Sequence, residues 1–330
     1  MRTAWSLFIA FTPLISADCP ASGMNGDRRP DDSLLRIVQF NAEWLFVTPC
    51  IDDGCPWANM SEQDKHISAI AAVIQELRPD ISHFCEVESC DALQAVAENN
   101  DLIPYLIQGK DTATGQNVGL LTLLDPVKPL YRTEERVAYP IPHSTCNYTG
   151  ANGTTGVSKH LITEFVINGI SVALIGAHLL AFPTDTTRCA EREAQAQVLQ
   201  YVIAKYINDG FEVIVIGDLN DYDGETLDTN NHKPKSSVLD ILKGLAGSHK
   251  GYYELYSAGE KMKQATRFSD WYDENDNCVS SQTELSQIDH ILVSNILYDK
   301  IVDAFMYQDY EQICGSYVSD HYPVVVDFIF

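Results

Sequence analysis

Apolar residues in this chain recur with two periods, and the period separates strand from helix. Residues 34–40 alternate and predict a strand. Further on, Ile67, Ile70, Ala71, Ile74 and Leu77 keep helical spacing, with Ser61 as the expected N-cap and Pro79 as the stop. Residues 81–85 predict a buried strand and 91–98 a short helix; 117–124 and 136–139 predict paired strands. Asn168-Gly169, between the strand-like runs 161–167 and 170–177, is a two-residue hairpin signal. A helix is expected over 191–207. The nearly all-apolar run 212–216 should be a central strand, because only a strand covered on both faces drops its polar positions. A further helix is expected over 238–245 and strands over 288–294 and 324–330, with loops over 50–59, 141–157 and 221–236. Strands and helices alternate, hairpins occur, and no break in composition marks a linker. The pattern is one mixed α/β domain with much antiparallel pairing, over residues 34–330.

The first residues do not belong to that pattern. A basic Arg2, the apolar stretch 4–11 and small residues before Asp18 read as a secretory signal peptide over 1–17, the alternative being a buried N-terminal helix. Residues 18–33 are polar, rich in Asp, Gly and Pro, and expected to be loose. No later run has the roughly 18 apolar residues of a membrane span.

Composition supports the secretory reading. There are nine cysteines and no CxxC pair; a reducing compartment rarely carries so many. Local loops Cys50–Cys55 and Cys85–Cys90, with Cys146–Cys189 and Cys278–Cys314, are the favoured pairings. Cys19 is left as the unpaired or intermolecular thiol. Glycosylation sequons stand at Asn59, Asn147 and Asn152. The expected location is extracellular or the secretory-pathway lumen. The net charge of −24 argues against a module that grips polyanions with Lys and Arg. It argues less against an enzyme that meets phosphate through a bound cation, which brings its own positive charge.

Six apolar runs end in an acid, an amide or an imidazole. They carry Asn41 in Phe40-Asn41-Ala42-Glu43-Trp44, Glu86 after Phe84-Cys85, and His178 after Ile175-Gly176-Ala177. They also carry Asp218 and Asn220 in Gly217-Asp218-Leu219-Asn220, Asp289 in Ile288-Asp289-His290, and Asp320-His321 in Ser319-Asp320-His321-Tyr322-Pro323. Glu86 with Asn41, helped by Asp320, suits Mg²⁺, which takes one or two carboxylates plus other oxygens. His321 suits proton transfer, with Asp289 as the acid that orients it. Taken singly, each has a plainer reading: a turn amide, a surface strand end, a structural histidine or a capping turn.

In order and approximate spacing, these six segments resemble the endonuclease/exonuclease/phosphatase superfamily, which includes deoxyribonuclease I. The resemblance runs from about residue 34 to the end. Glu191-Arg192-Glu193-Ala194-Gln195 also looks like that family's Arg/Gln-bearing helix, and Val118-Gly119-Leu120-Leu121 like its inner strand. It implies a four-layer α/β sandwich: two mixed, mostly antiparallel β-sheets packed face to face with helices outside. It also implies a metal-dependent phosphoester hydrolase, which with the secretory reading above is foremost a secreted deoxyribonuclease I-like endonuclease acting on DNA or RNA. Mg²⁺ would be its ion, with Mn²⁺ or Ca²⁺ as substitutes. Asn41 and Glu86 would be metal ligands, assisted by Asp320. Asp289 and His321 would form the acid–imidazole pair. Asp218 and Asn220 would position water and phosphate oxygens, and His178 would bind the scissile phosphate.

The sequence departs from that pattern in two places. Cys85 stands where the family has Gln, and Val87-Glu88-Ser89-Cys90 lacks the Arg that deoxyribonuclease I places against the minor groove. Three alternatives therefore stay open: a sphingomyelinase-type enzyme acting on a phospholipid head group, a phosphomonoesterase, and a non-catalytic binding protein. The second-ranked lipid reading needs an apolar hairpin, for which Arg267-Phe268-Ser269-Asp270-Trp271-Tyr272 is the nearest candidate, although Trp271 reads first as packing. No stable protein partner is implied.

Overall fold

The computed structural model describes residues 19–23, 26–50, 54–98, 100–182, 184–275, 277–310 and 315–330. The expected signal peptide and Cys314 lie outside them.

The chain begins with β1 (Leu34–Leu45), α1 (Met60–Leu77), β2 (Ile81–Val87), α2 (Cys90–Ala97), β3 (Ile103–Leu106) and β4 (Asn117–Thr122). It continues through β5 (Val137–Tyr139), β6 (Gly153–Thr155), β7 (Lys159–Ile167), β8 (Ile170–His178), α3 (Thr186–Asn208), β9 (Glu212–Asp218) and α4 (Val238–Lys243). It ends with β10 (Leu255–Ser257), β11 (Asp270–Trp271), β12 (Leu285–Ser286), β13 (Asp289–Ser294), α5 (Asn295–Tyr298), β14 (Ile301–Met306) and β15 (Val324–Ile329). Two large sheets result, ordered β14-β15-β1-β2-β4-β3 and β10-β13-β9-β8-β7. Within them only β1–β2 and β8–β9 pair in parallel.

Period two explains why both faces of the inner strands are apolar. Ile37 of β1 points between the sheets, where it joins Ile81, Leu120, Leu161, Leu174, Ile216 and Ile291. Its neighbour Val38 points out and packs with Ile70 and Ile74 of α1 and Leu93 of α2. On the other sheet Ile175 and Val215 meet Val198 and Leu199 of α3 and Ile241 of α4. The order is helices, sheet, sheet, helices, as the resemblance implied. Each such fully buried side chain contributes roughly 1.5–3 kcal/mol of transfer free energy.

Several local expectations shift. The cap of α1 is Asn59, whose side chain accepts from the Ser61 and Glu62 amides, and Arg78 ends the helix at φ 48° before Pro79. Residues 117–124 and 136–139 do not pair: β4 lies between β2 and β3, and β5 pairs with β6. The segment expected to be loose is tied down. Cys19 is disulfide-bonded to Cys90, and Asp27 bridges Leu124. This replaces the expected Cys85–Cys90 loop and the free Cys19. Cys85 is a mid-strand residue turned into the core toward Gln39 and the Ala177 carbonyl, so it is the buried free thiol. Cys50–Cys55 and Cys146–Cys189 are bonded. Cys278 is disulfide-bonded too. The three sequon asparagines are exposed.

His66 of α1 carries a pH consequence. Its ring stacks on Trp57 at 4.2 Å, its Nδ1 lies 2.9 Å from the Tyr317 carbonyl, and burial pushes its pKa down to about 4. The unfolded imidazole titrates near 6.5. Below that pH the unfolded chain binds a proton that the folded chain refuses, so stability is lost as pH falls toward 4. This residue accounts for about 3 kcal/mol of that loss. In urea unfolding of wild type and His66→Gln, the stability difference should move by about 2–3 kcal/mol between pH 7 and pH 4. An unchanged difference contradicts the assignment.

Candidate active site

The topology brings the six segments to one rim. β1 and β2 run in parallel, and Asn41 and Glu86 lie where their regular pairing breaks near their C-terminal ends; β8 and β9 run in parallel and end at His178 and Asp218. β13 runs the other way and starts at Asp289, paired with Asp218. β15 is antiparallel to β1, so Asp320 and His321, just before it, lie alongside the C-terminal part of β1, and Ser319 Oγ donates to the Asn41 carbonyl at 2.8 Å.

The backbone at this rim is not regular strand. Register shifts fall between Asn41 and Leu45 and between Phe84 and Val87. Glu43, Trp44, Glu86 and Asn220 take φ of 48°, 55°, 62° and 52°. Non-glycine residues in this region cost free energy and persist where the surroundings over-determine them. Here they turn side chains that strand alternation would send elsewhere toward one point.

His321 is at that point. Its Nδ1 lies 2.7 Å from Asp289 Oδ2, and its Nε2 lies 3.6 Å from Asp270 Oδ1 and 3.9 Å from Asp320 Oδ1. Burial alone would favour the neutral ring. The charges of Asp289, Asp320 and Asp270 outweigh it and hold the imidazole pKa well above its usual value. Asp289 is itself fixed by Ser269 Oγ at 2.9 Å and Gln39 Nε2 at 3.0 Å. Gln39 in turn accepts from His83 Nδ1 at 2.6 Å, so the neutral His83 sets the orientation of the amide. Burial drives the His83 pKa down to about 3, keeping it neutral.

Asp218 accepts from Asn41 Nδ2 at 3.0 Å and from the Asn220 amide at 3.0 Å, and lies 3.6 Å from His178 Nε2. Burial, then the charge of Asp289, pushes its carboxyl well up. Burial, then the charges of Lys159 and His321, pushes His178 well down, so its ring is neutral and Nδ1 has no partner. The two rim histidines therefore differ in protonation, which separates a proton donor from a neutral hydrogen-bonding group. Arg192 and Gln195 of α3 hold the loop after His178 by bonds to the Leu180 carbonyl and amide at 2.9 and 3.2 Å.

The carboxylates gather beside His321. Glu86 accepts from the Trp44 amide at 3.2 Å and Gln116 Nε2 at 2.8 Å, and burial raises its carboxyl. Glu43 accepts the Asp320 amide at 3.0 Å; burial, then Asp320 and Glu86, raise it well above the carboxylate range. Asp320 is raised as well, although 43% of its side chain stays open to solvent. Carboxylates raised first by burial and then by neighbouring acids are a set that a cation would relieve. All their donors are oxygen, which suits Mg²⁺, Mn²⁺ or Ca²⁺. Among the described residues, one group of three also brings ligand atoms within 4.8 Å of one another: Asp218, Asp289 and His321. The short Asp289–His321 bond already uses two of these. Asn41 turns its NH₂ to Asp218 and Glu86 and its carbonyl oxygen to the Glu43 amide. In that orientation it tethers carboxylates, and it serves a cation only with its amide turned.

All eight candidate catalytic and metal residues thus meet at one rim. Three more were not singled out from sequence. Glu43 sat in a quoted segment, two positions after Asn41, and was the readable signal. Asp270 belongs to a two-residue strand and faces His321 through an isolated bridge, with burial raising its pKa to about 6. Lys159 pairs with His178 across the β7–β8 hairpin and donates to Gln116 Oε1 at 3.2 Å, so Lys159, Gln116 and Glu86 form a chain. Trp271 is buried and donates to Glu284 at 3.2 Å, so Trp271 is packing, while Tyr272 beside it is exposed.

Solved structures of distant sequence share this fold. An AP endonuclease from Archaeoglobus fulgidus aligns with a TM-score of 0.55 at 14% identity, covering 89% of this chain and 99% of that chain. TDP2 from D. rerio, complexed with a single-strand DNA product, gives 0.54 at 15% identity, covering 90% of this chain and 100% of that chain. An endonuclease/exonuclease/phosphatase family protein from Leptotrichia buccalis gives 0.54 at 13% identity, with 90% and 100% covered. No protein-family model and no curated protein matches the chain. The chain has the fold of the endonuclease/exonuclease/phosphatase superfamily.

Proposed function

We propose that this protein is a secreted, divalent-cation-dependent phosphodiesterase that hydrolyses nucleic acid. The observation that carries the reading is the Asp289–His321 pair at 2.7 Å, with the far ring nitrogen aimed at the carboxylates. Asp289 fixes the ring and its protonation, so His321 Nε2–H donates to the departing ester oxygen as the P–O bond breaks. Asp218 and Asn220 orient the water whose oxygen forms the new bond to phosphorus, and Asp218 takes its proton. Neutral His178 donates a hydrogen bond to a phosphoryl oxygen. Glu86 and Asp320, with Glu43 beside them, would hold the ion. When bound, it neutralises charge on the phosphoryl oxygens.

Nucleic acid is favoured as substrate because two proteins of this fold are an AP endonuclease and a TDP2 bound to single-strand DNA product. The bound cation, rather than the acidic surface, would supply the attraction for phosphate. Secretion is supported by the disulfides and the expected signal peptide; no helix among the described residues is long and apolar enough to cross a membrane.

The test is a substrate panel of linear single-stranded DNA, RNA and sphingomyelin liposomes, with Mg²⁺ and then with EDTA. Nucleic-acid cutting lost in EDTA supports the reading. Choline-phosphate release without nucleic-acid cutting overturns it. Lys159 is the one basic side chain in the Gln116–Glu86 chain, and it is 13% exposed. Lys159→Ala is expected to raise KM for DNA about tenfold or more by loss of a charged hydrogen bond to phosphate, with Lys159→Arg retaining most of it. An unchanged KM in Lys159→Ala removes that role.

A further inference from the structure

A groove of about 480 Å³ opens from the carboxylate side of the rim. That volume suits one small organic group, within the range of ordinary ligand pockets. Glu43 and Asp320 form its inner wall, so it is continuous with the proposed catalytic centre. Its aromatic lining is Trp57, Trp271, Tyr272 and Tyr317. Trp57 and Trp271 are almost fully buried, while Tyr272 is 71% exposed. Its outer acids are Glu62 and Asp273. Among the described lining residues there is no Lys or Arg. Lys65 lies over the Tyr317 ring and donates to its hydroxyl at 3.3 Å, and is not itself part of the lining.

Two physical requirements follow for whatever arm of a phosphodiester enters. Aromatic walls stack a planar ring and are tolerant of its identity. Carboxylates with no counter-charge repel a second phosphate, and a cleft lined by one sign of charge concentrates that effect. A strand passing through the groove would have to place its next phosphate near Glu62 and Asp273.

We infer that the groove is a subsite for a terminal nucleoside: it takes the sugar and base at the end of a strand and excludes a continuing backbone. This rests on the phosphodiesterase reading above. It goes beyond that reading by assigning cleavage near a free end rather than within a strand. Tyr272 stacks on the base, and Glu62 and Asp273 set the charge rule.

The experiment uses the full chain with Mg²⁺ and three single-stranded DNAs of one sequence: linear with free hydroxyl ends, linear with both ends phosphorylated, and covalently closed. The free-ended strand should be cleaved from an end, and the closed circle at least about tenfold more slowly. Phosphorylated ends should slow cleavage by a similar factor. Glu62→Lys, at a half-buried position in the first turn of α1, should narrow the gap between phosphorylated and free ends, and Tyr272→Ala should raise KM for the free-ended strand by about tenfold. Cleavage of the circle as fast as the free-ended strand overturns the inference while leaving the phosphodiesterase reading intact. So does an end-phosphate effect that Glu62→Lys leaves untouched. Absence of magnesium-dependent cleavage of all three DNAs takes down the underlying reading and the inference with it.

Discussion

Replacing His321 by Ala is expected to lower kcat on DNA by about 10²–10⁴-fold, the usual contribution of a positioned proton-transfer group. The expectation follows from geometry that nothing else at the rim reproduces. Asp289 holds Nδ1 at 2.7 Å, and Nε2 faces Asp270 and Asp320. His178, the other rim imidazole, is held neutral, first by burial, and lies 3.6 Å from Asp218, so it does not stand in as a proton donor. The fold should survive, because Asp289 keeps its bonds from Ser269 and Gln39. Circular dichroism and thermal unfolding of the variant check that. Full activity in a folded His321→Ala protein would remove the proton-transfer role.

Gly217→Ala should give the largest loss of stability, more than about 4 kcal/mol and above the usual range for one substitution. Gly217 has φ 153° and stands opposite Ala177 in the parallel β8–β9 pair. A Cβ there would lie 1.8 Å from the Ala177 carbonyl oxygen. That contact is backbone in the centre of a sheet, with no flexible side chain to move aside. Gly210→Ala is the matched control. It has φ 82° but nothing within 4 Å of the added carbon, so it should lose only roughly 1–2 kcal/mol of conformational preference. Denaturant midpoints for the two variants decide it. Similar losses would mean that conformation alone, rather than the close approach of β8 and β9, requires glycine at 217. The same approach positions His178 against Asp218, so stability and site geometry share one constraint.

Much of this was readable from residue pattern, and the exceptions have physical causes. Period-two and period-3.6 signals located β1, α1, β7, β8, α3 and β9, because each buries a long apolar face. Asn168-Gly169 marked its hairpin because both residues take positive φ, at 49° and 80°. The short strands β3, β10 and β14 went unread, since a few residues at a sheet edge carry too little periodicity. Expected pairing between β4 and β5 failed because pairing depends on chain paths that local pattern does not encode. Strand-end polarity pointed to Asn41, Glu86, His178, Asp218, Asn220, Asp289, Asp320 and His321, which the fold gathers at one rim. It missed Asp270, whose strand is two residues long, and Lys159, which reaches the rim only through cross-strand pairing with His178. The Cys19–Cys90 bond spans 71 residues, and sequence spacing favoured the nearer but misdirected Cys85.

The central claim is that the clustered carboxylates at this rim hold a divalent ion for phosphodiester hydrolysis that His321 completes. Its most direct test is the initial rate of linear single-stranded DNA hydrolysis by the wild-type protein at saturating Mg²⁺, after EDTA, and after Mg²⁺ is restored. The account predicts turnover that EDTA abolishes and Mg²⁺ returns. Undiminished turnover in EDTA, or no turnover in any divalent cation, would contradict it.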